Sequence, residues 1–162
     1  GFDKRCPEKL QRPRHGQRLR ELPAALHYRQ PRQPVAVALQ PLYPGITAGQ
    51  LRGVLDSGVA ALLLECYGSG TGPADDPQML AVLREAHARG VVLAAISQCP
   101  QGSVQFDLYS AGSGLAACGL VSGVGMSRGA ALGKLFSLLG AGLGQAEVER
   151  LFGLDLCGEL VG

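Results

Sequence analysis

The chain contains no tryptophan and no asparagine, and aromatic residues make up only 5% of it. It has only two threonines, Thr47 and Thr71, and three lysines, Lys4, Lys9 and Lys134. No stretch of about 18 uncharged apolar residues occurs, so no membrane-spanning helix is expected. The N-terminal residues carry scattered charge around no apolar core, which is not the pattern of a secretory signal. Five cysteines occur, at 6, 66, 99, 118 and 157, odd in number and with no C-x-x-C pair. That spacing argues against a disulfide framework and against a structural zinc site. Reduced thiols in a cytoplasmic setting are expected, most of them buried as small hydrophobes, Cys66 and Cys118 among them. Charged residues are scarce at 17% against 46% hydrophobic, which excludes wholesale disorder. The 24 glycines follow no triplet period and read as turns and close packing.

The 162 residues suit one domain, with enough length to bury about 70% of the unfolded surface. Charge divides the chain near Pro34. Residues 1–34 carry nine Lys or Arg against three Asp or Glu, a net of +6, and residues 35–162 carry a net of −4. Five prolines break the basic part, so 1–34 is expected to be a poorly ordered leader. A basic tail can bind nucleic acid electrostatically, but only Tyr28 is interleaved with these arginines and no recognition fold surrounds them. No nucleic-acid partner and no membrane partner is therefore expected.

From Val35 the pattern alternates between short apolar runs and helical segments. Strands are expected at 35–39, 60–66, 91–96 and 120–121. Helices are expected at 48–57 behind Thr47, at 76–89 behind Asp75 or Asp76, near 109–118, at 128–139 behind Ser127, and at 145–152. On the second of these, Met79, Leu80, Leu83 and Ala86 form the apolar face, and Gly90 is its C-terminal cap. Continuous apolar strands between helices predict an α/β, three-layer Rossmann-like domain over 35–162, with a four-stranded parallel sheet flanked by helices. Ligands of such sheets sit beyond the carboxyl ends of the strands, here 65–71, 97–107 and 122–125.

Gly68-Ser69-Gly70-Thr71-Gly72 follows a strand and precedes a helix. Pro73 removes a donor that a phosphate would use, and Asp75 and Asp76 already occupy the positive end of the helix. Ser97-Gln98 ends the next strand with no acidic residue for a ribose. Dinucleotide binding is disfavoured, and both a structural turn and a small-ligand loop stay open.

At this loop a likeness enters. LECYGSGTGP (64–73) resembles the Y/F-G-x-G-N-x-P segment of the C-terminal domain of L-asparaginases. LYPGI (42–46) resembles the start of that domain. ISQCPQGSV (96–104) is similar to its T-x-C-x-x-G-x-V loop, and the run from Tyr109 to Gly140 resembles its small-residue and D-M-T-x-E-A-A-x-x-K-L segments. DLCGEL (155–160) is similar to the terminal D/N-L-R-G-E-L. The blocks stand in family order, and the likeness is closest to the cytoplasmic class and to the animal proteins that carry ankyrin repeats.

The resemblance implies a two-domain homo-oligomeric enzyme that hydrolyses L-asparagine to L-aspartate and ammonia, with no cofactor and no metal. The family's nucleophilic threonine and its assisting residues lie in T-G-G-T and T-D-T motifs of the N-terminal domain. This sequence has neither, so no catalytic residue is assigned and the chain alone is expected to be inactive. Its partners would be the asparaginase N-terminal domain and, in the complete enzyme, L-asparagine.

By the same likeness, Gly70, Thr71, Asp107 and Tyr109 would contact substrate. Thr71 stands where the family has asparagine, and it lacks the amide's paired donor and acceptor. Asp107 could hold an ammonium group or be a solvated loop residue, and Tyr109 could instead be a packed ring with its hydroxyl on backbone. Cys99 matches the cysteine of an effector loop in bacterial relatives, but Glu65 replaces the arginine that would hold the effector's carboxylate. His15, His27 and His87 provide no evident base. Lys134 is expected to be a solvated surface residue. A domain without its partner is expected to expose an apolar face bearing Leu115, Leu120 or the 129–140 helix, and to form a homo-oligomer. The other class of function that stays open is a non-catalytic regulatory or interaction module.

Overall fold

The computed structural model describes residues 33–68, 72, 76–99, 102–106 and 114–160. The elements are β1 (Val37–Pro41), α1 (Ala48–Leu55), β2 (Ala61–Cys66), α2 (Pro77–Ala88), β3 (Val92–Ser97), β4 (Val121–Ser122), α3 (Arg128–Gly140) and α4 (Gln145–Phe152). The four strands form one parallel sheet in the order β1-β2-β3-β4. Each strand sits close to its expected place; β1 lies two residues later than the apolar run suggests, because its pairing with β2 starts at Val37↔Ala61.

Side-chain alternation divides the core into two layers. Leu62, Leu64 and Cys66 of β2 meet α1 and α2, while Ala61 and Leu63 meet α3 and α4. The architecture is therefore the expected three-layer α/β fold, with β2 and β3 buried on both faces.

The helices begin where side chains can satisfy free backbone donors. Thr47 and Gln50 form a reciprocal capping box at α1. Asp76 caps α2 through the N–H groups of Gln78 at 2.9 Å and Met79 at 3.3 Å. Ser127 caps α3 through the N–H of Ala130. Arg89 is the C-cap of α2, and Gly90 follows it at φ +94°, a conformation that favours glycine. The buried face of α2 carries Val82 in place of the expected Leu80, which is half-buried at the margin of the core.

The structure decides among the three candidate apolar faces in favour of the 129–140 helix and overturns the expectation for Lys134. Leu115 and Leu120 are buried, because the 114–120 segment folds onto α2 and closes the first core layer. Phe136 of α3 is exposed instead. Lys134 is buried at 8% exposure. The segment after α4 folds back over α3, so the Lys134 ammonium donates to the Glu159 carboxylate and to the Leu154 carbonyl. It also lies 5.7 Å from the centre of the Phe152 ring.

Glu159 accepts the backbone N–H groups of Leu156 at 3.1 Å and Cys157 at 2.7 Å. Burial by itself would raise its pKa, but the Lys134 ammonium and the backbone donors outweigh this and hold the carboxyl well below the usual carboxylate range. A carboxyl that ionises more readily when folded stabilises fully above its unfolded pKa of about 4.3, and the contribution is lost as pH falls through the folded value. Glu85 and Glu147 are also drawn down, by Arg52 and Arg150, but they are about half exposed and contribute little. Urea midpoints should therefore fall between about pH 4 and pH 2, and Glu159→Gln should flatten that part of the profile. An unchanged acid slope in the variant would assign the loss to other carboxylates.

Candidate functional site

The carboxyl ends of β1, β2, β3 and β4 lie on one edge, and side chains at the end of β3 and just after it join the segments there. Ser97, the last residue of β3, donates its hydroxyl to the Gly68 carbonyl at 2.6 Å and accepts the Cys99 N–H at 3.1 Å. The Gln98 amide donates to the carbonyls of Leu42 at 2.5 Å and Glu65 at 2.7 Å. The glycine loop, the loop after β1 and the cysteine loop are thus tied at their bases by two neighbouring residues. Gly102 packs into the same joint. A Cβ there would lie 2.1 Å from Ser97 Oγ and 2.7 Å from the Gly68 carbonyl oxygen, so no larger residue fits without movement.

The loop after β4 is held as closely. Ser122 donates its hydroxyl to the Val104 carbonyl at 2.7 Å and accepts the Val124 N–H at 2.9 Å, while the Val104 N–H donates to the Val124 carbonyl. These bonds hold Val124 at φ +52°. A branched residue in that region costs about 1–3 kcal/mol and persists where its surroundings over-determine it.

Glu65 is the one charged residue of β2, and its side chain is 4% exposed. Strand alternation points it to the α3 face, where Arg128 in the first turn of α3 meets it. Arg128 Nε donates to Oε1 at 2.6 Å and Nη2 to Oε2 at 2.9 Å, a fork that uses both carboxylate oxygens. The carboxylate in turn raises the pKa of the guanidinium, which stays charged. Arg128 itself is 60% exposed, so the pair joins a buried anion to a solvated cation.

A search of protein families finds that the model of the Glutaminase/Asparaginase C-terminal domain matches residues 36–152. The chain belongs to that family. It is 41% identical over 125 residues to a 60 kDa lysophospholipase of Homo sapiens and 37% identical over 128 residues to L-asparaginase 1 of Escherichia coli strain K12. These matches cover 76% and 79% of this chain but 22% and 37% of the two relatives. The crystal structure of L-asparaginase I from Vibrio cholerae superposes with a TM-score of 0.76 at 36% identity, over 81% of this chain and 39% of that one. The chain thus spans well under half the length of these relatives.

Of the residues that the resemblance to this family singled out, Gly70, Thr71, Asp107 and Tyr109 lie outside the described residues. Cys99 is exposed on the cysteine loop, anchored through its backbone to Ser97. Glu65, noted as a departure at the effector position, is occupied by Arg128. Cys66 and Cys118 are buried as expected; burial pushes the Cys66 thiol up to about 12 and also raises Cys118. His87 stands at the opposite edge of the sheet, on the last turn of α2, 2.9 Å from Glu149 Oε1. Among the described residues no group of three or more His, Cys, Asp or Glu side chains could hold a metal ion.

Sequence reasoning missed the structural roles of Gln98, Gly102, Val124 and Arg128. Gly102 was readable as the glycine of the cysteine-loop motif. Arg128 gave no signal, because 63 residues separate it from its partner.

The asymmetry of the Glu65 pair makes a testable prediction. Arg128→Met strands a buried carboxylate and should lower the urea midpoint clearly, whereas Glu65→Met returns the arginine to water and should lower it less. Equal losses in urea titrations of the two variants would contradict this. In the same assay Gly102→Ala should cost about 1–3 kcal/mol by overpacking the joint at Ser97.

Proposed function

We propose that this chain is the C-terminal part of an enzyme of the L-asparaginase kind, which hydrolyses L-asparagine to L-aspartate and ammonia. In this reading it supplies substrate-contacting loops and a subunit interface, and an N-terminal domain supplies the nucleophile. The observation that supports it best is the state of the sheet's carboxyl edge. The loop bases there are tied rigidly by Ser97, Gln98 and Gly102, yet the strand order β1-β2-β3-β4 never reverses. A doubly wound sheet makes its ligand crevice at such a reversal. Two open grooves of about 350 and 320 Å³ occur on the domain, and neither is lined by Ser97, Gln98, Cys99, Gly102 or Arg128. Loop bases tied in this way, on a sheet with no reversal of strand order, suit a surface that closes a site against another domain.

Gly70, Thr71, Asp107 and Tyr109 are proposed as the substrate contacts, with Asp107 facing the ammonium group, and Cys99 as a weaker effector contact. A homo-oligomer in the cytoplasm fits this reading, as does kinship with the animal proteins that carry ankyrin repeats. The same domain occurs in relatives named for a lysophospholipase and for an asparaginase. The substrate of the complete protein would then be decided largely beyond this domain. The alternative is a non-catalytic regulatory or interaction module, favoured by Thr71 in place of the family's asparagine and by the closure of Glu65 on Arg128.

Ammonia release from L-asparagine separates these readings. The chain alone should show no turnover. Mixing it with a separately produced asparaginase N-terminal domain should raise turnover at least about tenfold above that domain alone. Turnover by the isolated chain would disprove an external nucleophile, and no gain on mixing would favour the non-catalytic module.

A further inference from the structure

Residues 153–160 contain no helix or strand, yet they close one end of the second core layer. Leu156 and Leu160 pack against that layer, while Leu154 remains 46% exposed. Lys134 of α3 makes two polar ties to this segment. Lys134 donates to Glu159 and to the Leu154 carbonyl, and its own side chain is 6% exposed. The segment is also organised around its side of the pair. Glu159 gathers the N–H groups of Leu156 and Cys157, and the Gly158 N–H donates to Asp155 at 2.7 Å.

We propose that residues 153–160 form a latched strap, a segment that docks and undocks as one unit, with the Lys134–Glu159 ion pair as its latch. The physical argument rests on the cost of half-open states. A buried ion pair gains little net stability over an apolar pair of similar size, because both charges lose their water. Separating the charges while either stays buried is the expensive step. Full release returns Glu159 and Lys134 to solvent together, so docked and fully released states are both favoured over anything between. The released state uncovers the apolar surface beneath Leu156 and Leu160. Asp155, Cys157 and Lys134 are the charged or titratable groups that act on Glu159 and its neighbours, and the Glu159 carboxylate pushes the Cys157 thiol up.

Two measurements test the strap. In native-state hydrogen exchange of the unmodified chain under mild urea, the amides of Leu156 and Cys157 should open together, at least about tenfold more often than those of β2 and β3. In Lys134→Met, exchange of the Leu156 and Cys157 amides, both held by Glu159, should accelerate at least about tenfold, with the amides of β2 and β3 unchanged. The strap is refuted if the Leu156 and Cys157 amides exchange only with β2 and β3, whatever the variant does. It is refuted equally if a folded Lys134→Met chain exchanges the Leu156 and Cys157 amides no faster than the unmodified one.

Discussion

β2 has no solvent-facing side. All six of its residues are buried, between α1 and α2 on one face and α3 and α4 on the other. Such a strand can end in a carboxylate only if a cation is brought to it, since an unpaired buried charge is too costly to keep. Glu65 therefore constrains more than its own surroundings. Its partner, Arg128, opens α3, so the pair fixes where α3 starts, and the Ser127 cap one residue earlier agrees with that position. The Glu65 carbonyl accepts both the Leu42 N–H and the Gln98 amide. One residue thereby sets the relative positions of α3, the loop after β1 and the end of β3.

Among the described residues, the ion pairs Glu65–Arg128 and Lys134–Glu159 behave differently because their exposure differs. At Glu65 only the anion is buried, and Arg128 keeps its hydration on the outer side. At Lys134 and Glu159 both partners are buried, at 6% and 9% side-chain exposure. The first arrangement gives a one-sided dependence, in which the anion needs the cation but the cation does not need the anion. The second is mutual, and it joins a helix to a segment that has no secondary structure of its own. The fold thus uses one pair to pin a helix start within the sheet and the other to hold its C-terminal segment.

Much of this architecture was legible in the sequence. The strands announced themselves because β2 and β3 are buried on both faces and so read as unbroken apolar runs, and the helix starts were marked by Thr47, Asp76 and Ser127. Pairing across long separations was not legible. Lys134 lies in a helix whose local pattern says surface, and only Glu159, 25 residues later, makes its burial tolerable. The sequence left open whether Leu115, Leu120 or the 129–140 helix bears the open apolar face; α2 covers the first two, and Phe136 of α3 is the exposed one. The site was legible as a place, the carboxyl edge, and in the glycine and cysteine loops. Its rigidity was not, since that depends on Ser97 and Gln98 reaching backbone carbonyls 29 to 56 residues away.

The strain at Val124 bears on what that edge is for. Its φ of +52° is one that a branched side chain adopts only under compulsion, and the compulsion comes from Ser122 and Val104. A fold that needed only a connection between β4 and α3 could place glycine there at no such cost, as it does at Gly123 and Gly125 on either side. Strain of this kind is maintained where loop position matters more than loop comfort. It lies on the same edge as the Ser97 joint and the Arg128 fork. Loop bases held in this way lose little entropy on association, the property that the accessory face of the proposed shared site would require.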